Sequence, residues 1–307
     1  MPKMMTPAQQ KFAKQAAKAK KSTRKTAKRG AAFGEVWKRL RRNKLAMAGL
    51  VVFCLLVLIA LFPSVFATHD PIEQRPMEAL SGPSAEHWFG TDNFGRDIFS
   101  RVIYGTRVSL GIGLSGVIFA LIVGGTLGAA AAFYGGHSDN IIMRVMDVLQ
   151  SIPSILLALS IAAALGKGVF NLILAMGVSS IPLFARVVRA AVLTVKDREY
   201  VEAGKCIGAT DARLIFRHMI PNAMGPIMVQ ATFGVASSIL MIAGLSYIGL
   251  GIAPPTPEWG SMLSDAKQFM QLYWHVMVFP GVALIISSFS LNVLGDGLRD
   301  AFDPKLK

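Results

Sequence analysis

Charge is scarce in this chain. Asp, Glu, Lys and Arg make up only 16% of its 307 residues, hydrophobic residues make up 53%, and mean hydropathy is +0.49. That balance excludes an ordinary soluble domain and places the chain in a membrane. Cysteine is rarer still: Cys54 lies inside an apolar run and Cys206 inside a polar one. Neither has a metal-ligand spacing or a disulfide partner in reach, so both read as structural. Catalytic signatures are missing too. Gly166-Lys167 and Gly204-Lys205 lack the glycine five positions before and the Ser or Thr after that a phosphate-binding GxxxxGK[ST] loop needs, and HExxH, GxSxG and CxxC do not occur. His69, His87, His137, His218 and His275 scatter over loops. The chain reads as no enzyme, with no cofactor, metal or ATP site of its own.

What is abundant is positive charge at one end. Net charge is +14, yet 15 of the 32 Lys and Arg residues precede residue 45, so the excess belongs to a tail and not to a stripe that tracks nucleic acid. Residues 1–32 read as a basic, disordered cytoplasmic tail, or alternatively as a helix on anionic lipid. Residues 33–44 read as an interfacial helix with Val36, Trp37 and Leu40 toward the lipid boundary.

Residues 45–66 carry no charge over 22 positions, about 33 Å as a helix, which suits a hydrocarbon core of about 30 Å. A cleaved signal peptide is the rival, disfavoured by the length of the run and of what precedes it. Further spans are expected at about Val108–Phe133, Ile141–Leu165, Val169–Ala185, Met224–Leu250 and Val276–Leu294. This predicts an all-α integral membrane protein with six transmembrane helices. Residues 67–107 would be extracytoplasmic, 108–298 a five-helix core with a cytoplasmic loop at 186–222, and 299–307 a cytoplasmic end. With the N-terminus inside, 26 Lys and Arg fall on the cytoplasmic side and 6 outside, so both termini are expected in the cytoplasm.

Charges within the spans are few. Arg144 and Asp147, three apart on one helical face, are expected to pair. No other span offers a carboxylate, which weakens a proton- or sodium-coupled carrier. Gly124, Gly128 and Ala132 recur every fourth position, a spacing for close helix packing, while Pro153 and Pro182 can bend their helices.

The polar loop stands apart. A connector between antiparallel helices needs about 2–8 residues, but this one runs from Arg186 to Asn222. Asp197–Ile207 forms a first short helix with Tyr200, Val201, Ala203, Gly204 and Ile207 toward one side; Gly208 breaks it. Thr210 or Asp211 is expected to cap a second helix that Pro221 ends. Such an elbow docks on a partner, or else lies on lipid headgroups.

The segment Glu202-Ala-Gly-Lys-Cys-Ile-Gly208, followed by His218-Met-Ile-Pro221, resembles the EAA loop of bacterial ABC importer permeases, with Gly204 in place of the second alanine and His218 in place of an isoleucine. From about Phe33 onward, WKRLRRNKLAMAGL, HWFGTDNFGRDIFSRVIYGTRVSL, DNIIMRVMDVLQSIPSILLAL, GLSYIGLGIAPPTPEWGSML and LNVLGDGLRDAFDPKL are similar to the C-type permease subunit of dipeptide, oligopeptide and nickel importers. The resemblance implies an ABC importer type I permease fold in the bacterial cytoplasmic membrane. It also implies a second homologous permease, two ABC ATPases that hold ATP and Mg, and an extracytoplasmic solute-binding protein. Glu199, Glu202, Ala203, Gly204, Gly208, Ala209, Asp211 and Pro221 would form the ATPase-coupling site. Asp92, Arg96 and Trp259 would touch the binding protein or shape the outer gate, or would only satisfy tight turns beside Gly90 and Gly95. The expected function is import of di- or oligopeptides. Nickel or glutathione import, an ATP-independent carrier or channel, and a scaffold that moves no solute are the alternatives.

Overall fold

The structure, a computed structural model, describes residues 28–302, with side chains from residue 34 onward. The basic tail expected at 1–32 falls largely outside the described residues. Helices are α1 Lys28–Leu40, α2 Lys44–Leu61, α3 Pro63–Phe66, α4 Ile98–Tyr134, α5 Gly136–Gln150 and α6 Ser154–Leu165. They continue with α7 Val169–Lys196, α8 Glu199–Cys206, α9 Asp211–Arg213, α10 Met224–Tyr247, α11 Trp259–Ala266 and α12 His275–Phe302. Strand structure among the described residues is confined to an isolated bridge between Thr91 and Asp97.

Helices α2, α4, α7, α10 and α12 are each long and apolar enough to cross a membrane. The span expected at Ile141–Leu165 is instead a broken pair, α5 and α6, bent by 80°. Pro153 is the cause: it pushes the preceding residue out of helical geometry, and it sits with ψ 130 at the start of α6. Pro182, by contrast, lies inside an uninterrupted α7. The first span also stops early, at Leu61, because Pro63 starts a separate turn. Arg107 donates to the Ala60 and Leu61 carbonyls at 2.6 and 2.7 Å, which satisfies that exposed helix end.

Helix α4 begins ten residues before the expected Val108. Asp97 accounts for this, since its carboxylate accepts from the Ser100 amide at 2.8 Å as an N-cap. At about 55 Å, α4 exceeds the bilayer core. It packs along α7, the most buried span, while α2 is a peripheral helix with 11% of its apolar window buried.

Small residues set these crossings. A Cβ on Gly124 would stand 2.5 Å from the Ile181 carbonyl, and one on Gly128 would collide with the Ala185 carbonyl. Gly49 likewise lets α2 approach the Ser290 carbonyl of α12. The α1 helix is not lipid-facing as expected: Leu40 is buried against Leu294 and Ala301 of α12, and only Trp37 of the three named residues is exposed. Both cysteines are free and lie on the surface of the chain.

The α4–α7 crossing yields a prediction. Gly124→Val or Gly128→Val should each cost about 1–3 kcal/mol or more by overpacking. Gly111→Ala, with nothing within 4 Å of the new methyl, should be neutral or gain up to about 1 kcal/mol. Thermal unfolding of the purified chain in detergent checks the contrast.

Candidate functional site

The polar loop folds into an elbow at the end of the bundle where α4 and α7 stop and α10 begins. The α8 helix starts directly after α7 and ends in a Schellman motif. The Ala209 amide donates to the Gly204 carbonyl at 3.1 Å, and the Gly208 amide donates to that of Lys205 at 3.0 Å. Gly208 has φ +74, the left-handed value this motif needs. Nothing lies within 4 Å of where its Cβ would be, so the requirement is one of backbone and not of space.

Gly204 answers to space instead. A Cβ there would stand 2.7 Å from Cδ2 of Leu214, a side chain 1% exposed. The missing methyl lets Leu214 fold under α8, so the glycine brings the two arms of the elbow into contact.

The second arm is irregular. Thr210 precedes α9 without a side-chain cap, and α9 passes into a π-helical stretch at Leu214–Met219 and a 3-10 turn at Ile220–Asn222. Pro221 has no amide proton, so regular i→i−4 bonding cannot continue through it; the Ile220 amide reaches back to the Ile215 carbonyl instead. Asp211 is not a cap either. Its carboxylate accepts from the Tyr134 hydroxyl at 3.2 Å, tying the elbow to the end of α4.

The buried face of the elbow is continuous with the bundle. Val201, Ile215 and Met219 pack in one cluster with Ala129 and Ala132 of α4, Val188 and Val195 of α7, and Ile227 of α10. Lys196 donates to the Ala132 carbonyl at 2.8 Å, and Lys205 lies over the Phe133 ring at 5.6 Å. Beside them Arg189 grips Asp139 through two 2.6 Å bonds, and Arg186 reaches Asp147 at 2.6 Å. Asp147 thus pairs across to α7 and not with Arg144.

The outward face holds Glu199, Glu202, Ala203, Gly208 and Pro221, all exposed. Sequence reasoning missed two residues there. Ile207, expected on the packed side, is 83% exposed, and Phe216 is 54% exposed. The helix stops at Cys206, so the periodicity that assigned Ile207 to the inner side no longer applied. Glu202, Lys205, Arg213 and Arg217 of the same elbow are exposed as well, so its outward surface mixes apolar and charged side chains.

At the far end of the bundle, Asp92, Arg96 and Trp259 turn inward. Asp92 accepts from the Phe94 and Arg96 amides at 2.8 and 3.0 Å and from Arg96 Nε at 2.6 Å, closing its own turn. Arg96, 2% exposed, also faces Asp265 at 3.6 Å. Burial pushes the Asp265 carboxyl above its usual range, against the pull of Arg96 and Arg101. Trp259 is fully buried, with Nε1 donating to the Val102 carbonyl at 3.0 Å and its ring seated on Gly105. Sequence reasoning also missed Glu258, which caps α11 through the Gly260 and Ser261 amides at 2.8 Å each. These side chains brace the far end; none of Arg96, Trp259 and Glu258 is available to touch an incoming protein.

The structure thus joins a bundle of apolar helices to one braced elbow whose outward face is exposed. Residues 116–307 match the family model described as binding-protein-dependent transport system inner membrane component, and residues 32–83 match the N-terminal TM domain of oligopeptide transport permease C. The dipeptide transport system permease protein DppC of Alkalihalophilus pseudofirmus is 45% identical over 273 residues, 89% of this chain and 90% of that protein. A di/tripeptide transport permease DppC of Pseudomonas aeruginosa is 44% identical over 89% of this chain and 92% of its own length. A glutathione transport permease GsiD of Pectobacterium atrosepticum is 42% identical over 89% and 91%. Among solved structures, the MetNI methionine ABC transporter in an inward-facing form matches with TM-score 0.54 at 17% identity, covering 66% of this chain and 97% of that chain. The chain belongs to the binding-protein-dependent transport inner membrane component family. It is a multi-pass inner membrane permease of an ABC importer, with the all-α type I permease fold.

The elbow's two glycines should separate in stability measurements. Gly204→Ala, whose methyl displaces only the tip of Leu214 and improves helix propensity, should stay within about 1 kcal/mol of the parent. Gly208→Ala, held at φ +74, should lose about 1–2 kcal/mol. Thermal unfolding of each variant in detergent reads the difference.

Proposed function

We propose that this chain is a permease subunit of an ATP-driven importer of di- or oligopeptides, working with a second homologous permease, two cytoplasmic ATPases and an extracytoplasmic solute-binding protein. The single observation that carries the mechanism is the exposed elbow face at Glu202 and Ile207, mounted on a core continuous with α4, α7 and α10. The excess of 26 Lys and Arg over 6 supports an orientation with this elbow and both termini in the cytoplasm. ATP and Mg belong to the ATPases, and this chain takes part in no bond-breaking step.

In this reading the elbow seats in a groove of one ATPase. Glu202 meets a basic group there, and Ile207 and Phe216 bury their apolar surface. Closure of the ATPases on ATP pulls the elbow. Because Val201, Ile215 and Met219 are packed against three spans, the pull reaches α4, α7 and α10 as one body and opens the pathway between the two permeases alternately to each side. Asp92, Arg96 and Trp259 frame the outer gate from within. Peptide import is favoured by the dipeptide and di/tripeptide relatives; glutathione, the cargo named for the relative at 42% identity, is the second reading.

Glu202→Arg and Ile207→Asp alter exposed side chains, so each should leave unfolding within about 0.5 kcal/mol of the parent. Each should nevertheless lower dipeptide uptake into proteoliposomes at least tenfold and reduce co-purification of the ATPases. Full uptake by either normally assembled variant would overturn the docking assignment. Uptake that continues without ATP would replace the importer reading with a secondary carrier.

A further inference from the structure

Three side chains outside the elbow converge between the end of α3 and the start of α4. His69, His87 and Asp97 each bring one donor atom within 4.8 Å of those of the other two. His87 Nδ1 is 3.0 Å from Asp97 Oδ1, and His69 Nδ1 is 3.9 Å from Asp97 Oδ2. Those separations approach the spacing of neighbouring ligands around a small ion with bonds of about 2.0–2.2 Å.

The surroundings fix each group in the orientation a metal requires. His87 Nε2 lies 3.2 Å from the Glu78 carboxylate, and a histidine that donates its outer N–H to a carboxylate presents its other nitrogen as a lone pair. Asp97 is held at the head of α4 by the Ser100 amide at 2.8 Å and receives the Thr68 hydroxyl at 3.4 Å, so its carboxylate cannot swing away. Thr68 Oγ1 lies 3.0 Å from His69 Nδ1 and offers a fourth donor atom. His87 is 5% exposed and Asp97 3%, whereas His69 opens onto a recess lined by Ser64, Asp70 and Tyr104. The recess is an entry path.

We propose that His69, His87 and Asp97 form a binding site for a divalent transition-metal ion of the zinc class. Thr68 or a water supplies the fourth ligand, and Glu78 is the outer-shell acceptor for His87. The ion would join His69 and His87 to Asp97, clamping the 67–97 segment to the head of α4. The site is independent of how the elbow is read.

The test uses the full-length chain in lipid nanodiscs, stripped with a chelator and titrated with Zn2+ alone, then with Co2+ as a spectroscopic probe. One Zn2+ per chain and a visible Co2+ ligand-field band of tetrahedral intensity are expected. His69→Gln, at the accessible edge, should weaken Zn2+ binding at least tenfold, and Glu78→Gln, which touches no metal, by about 10–100-fold. His137→Gln and His218→Gln should bind as the parent does. Unfolding temperatures of the stripped variants show that each is folded. A folded parent that binds no Zn2+, or Zn2+ binding unchanged in both His69→Gln and Glu78→Gln, would overturn the site.

Discussion

The crossing of α4 over α7 is the constraint on which the rest depends. Gly124 and Gly128 bring α4 against the Ile181 and Ala185 carbonyls so closely that a side chain cannot intervene. Inside a bilayer no hydrophobic drive separates helix from lipid, so association rests on contact area and close approach, which small residues permit. One consequence lies along the same two helices. The Lys196 ammonium reaches the Ala132 carbonyl only because α4 and α7 remain adjacent at their ends, where the elbow is attached. A looser crossing would leave the elbow hanging from a flexible stalk.

Rigidity decides whether an elbow can transmit force. A connector lying on lipid needs no buried face of its own, but this one commits Val201, Leu214, Ile215 and Met219 to near-complete burial. Each such side chain is worth about 1.5–3 kcal/mol when removed from water. Detaching the elbow would expose several of them together, so movement of the elbow alone is far less favourable than movement of the elbow with its helices. The bent pair α5 and α6 contrasts with this. Most of its residues are exposed, and its joint to α7 is narrow and mixed: Met146 packs with Ile181 and Ala185, Ala158 packs with Leu172 and Met176, and Asp147 and Asp139 pair with Arg186 and Arg189.

Much of this architecture was legible in the sequence. Uncharged runs located five of the six spans, because burial in lipid demands a composition that no loop shares. The four-residue spacing of Gly124, Gly128 and Ala132 signalled the crossing, and Gly208 with Pro221 signalled the elbow. Other features depend on contacts between residues far apart in the chain. Pro153 and Pro182 look alike in sequence, but only the first breaks its helix, because neighbouring groups decide whether a freed carbonyl is tolerated. Arg144 stood closer to Asp147 in sequence than Arg186 does, yet the partner came from another helix. Trp259 and Arg96 read as surface candidates because polar and aromatic residues in a loop suggest recognition. Their burial followed from Gly105 and Asp265, far away in the chain. Ile207 escaped notice because a hydrophobic residue at helical spacing is assigned to the inside by default.

Gly204 shows why a departure from a family pattern has to be judged together with its contacts. In isolation, glycine in a helix costs about 0.5–1 kcal/mol of chain entropy relative to alanine. Here the space of the absent methyl is filled by Leu214, whose burial offsets a cost of that size. The exchange also moves stabilisation from within α8 to the contact between the two arms. An alanine would strengthen one arm by propensity, whereas the glycine with Leu214 fixes the angle between them. In the proposed coupling role, in which the elbow conveys displacement around a bend, the angle matters more than the stiffness of either arm.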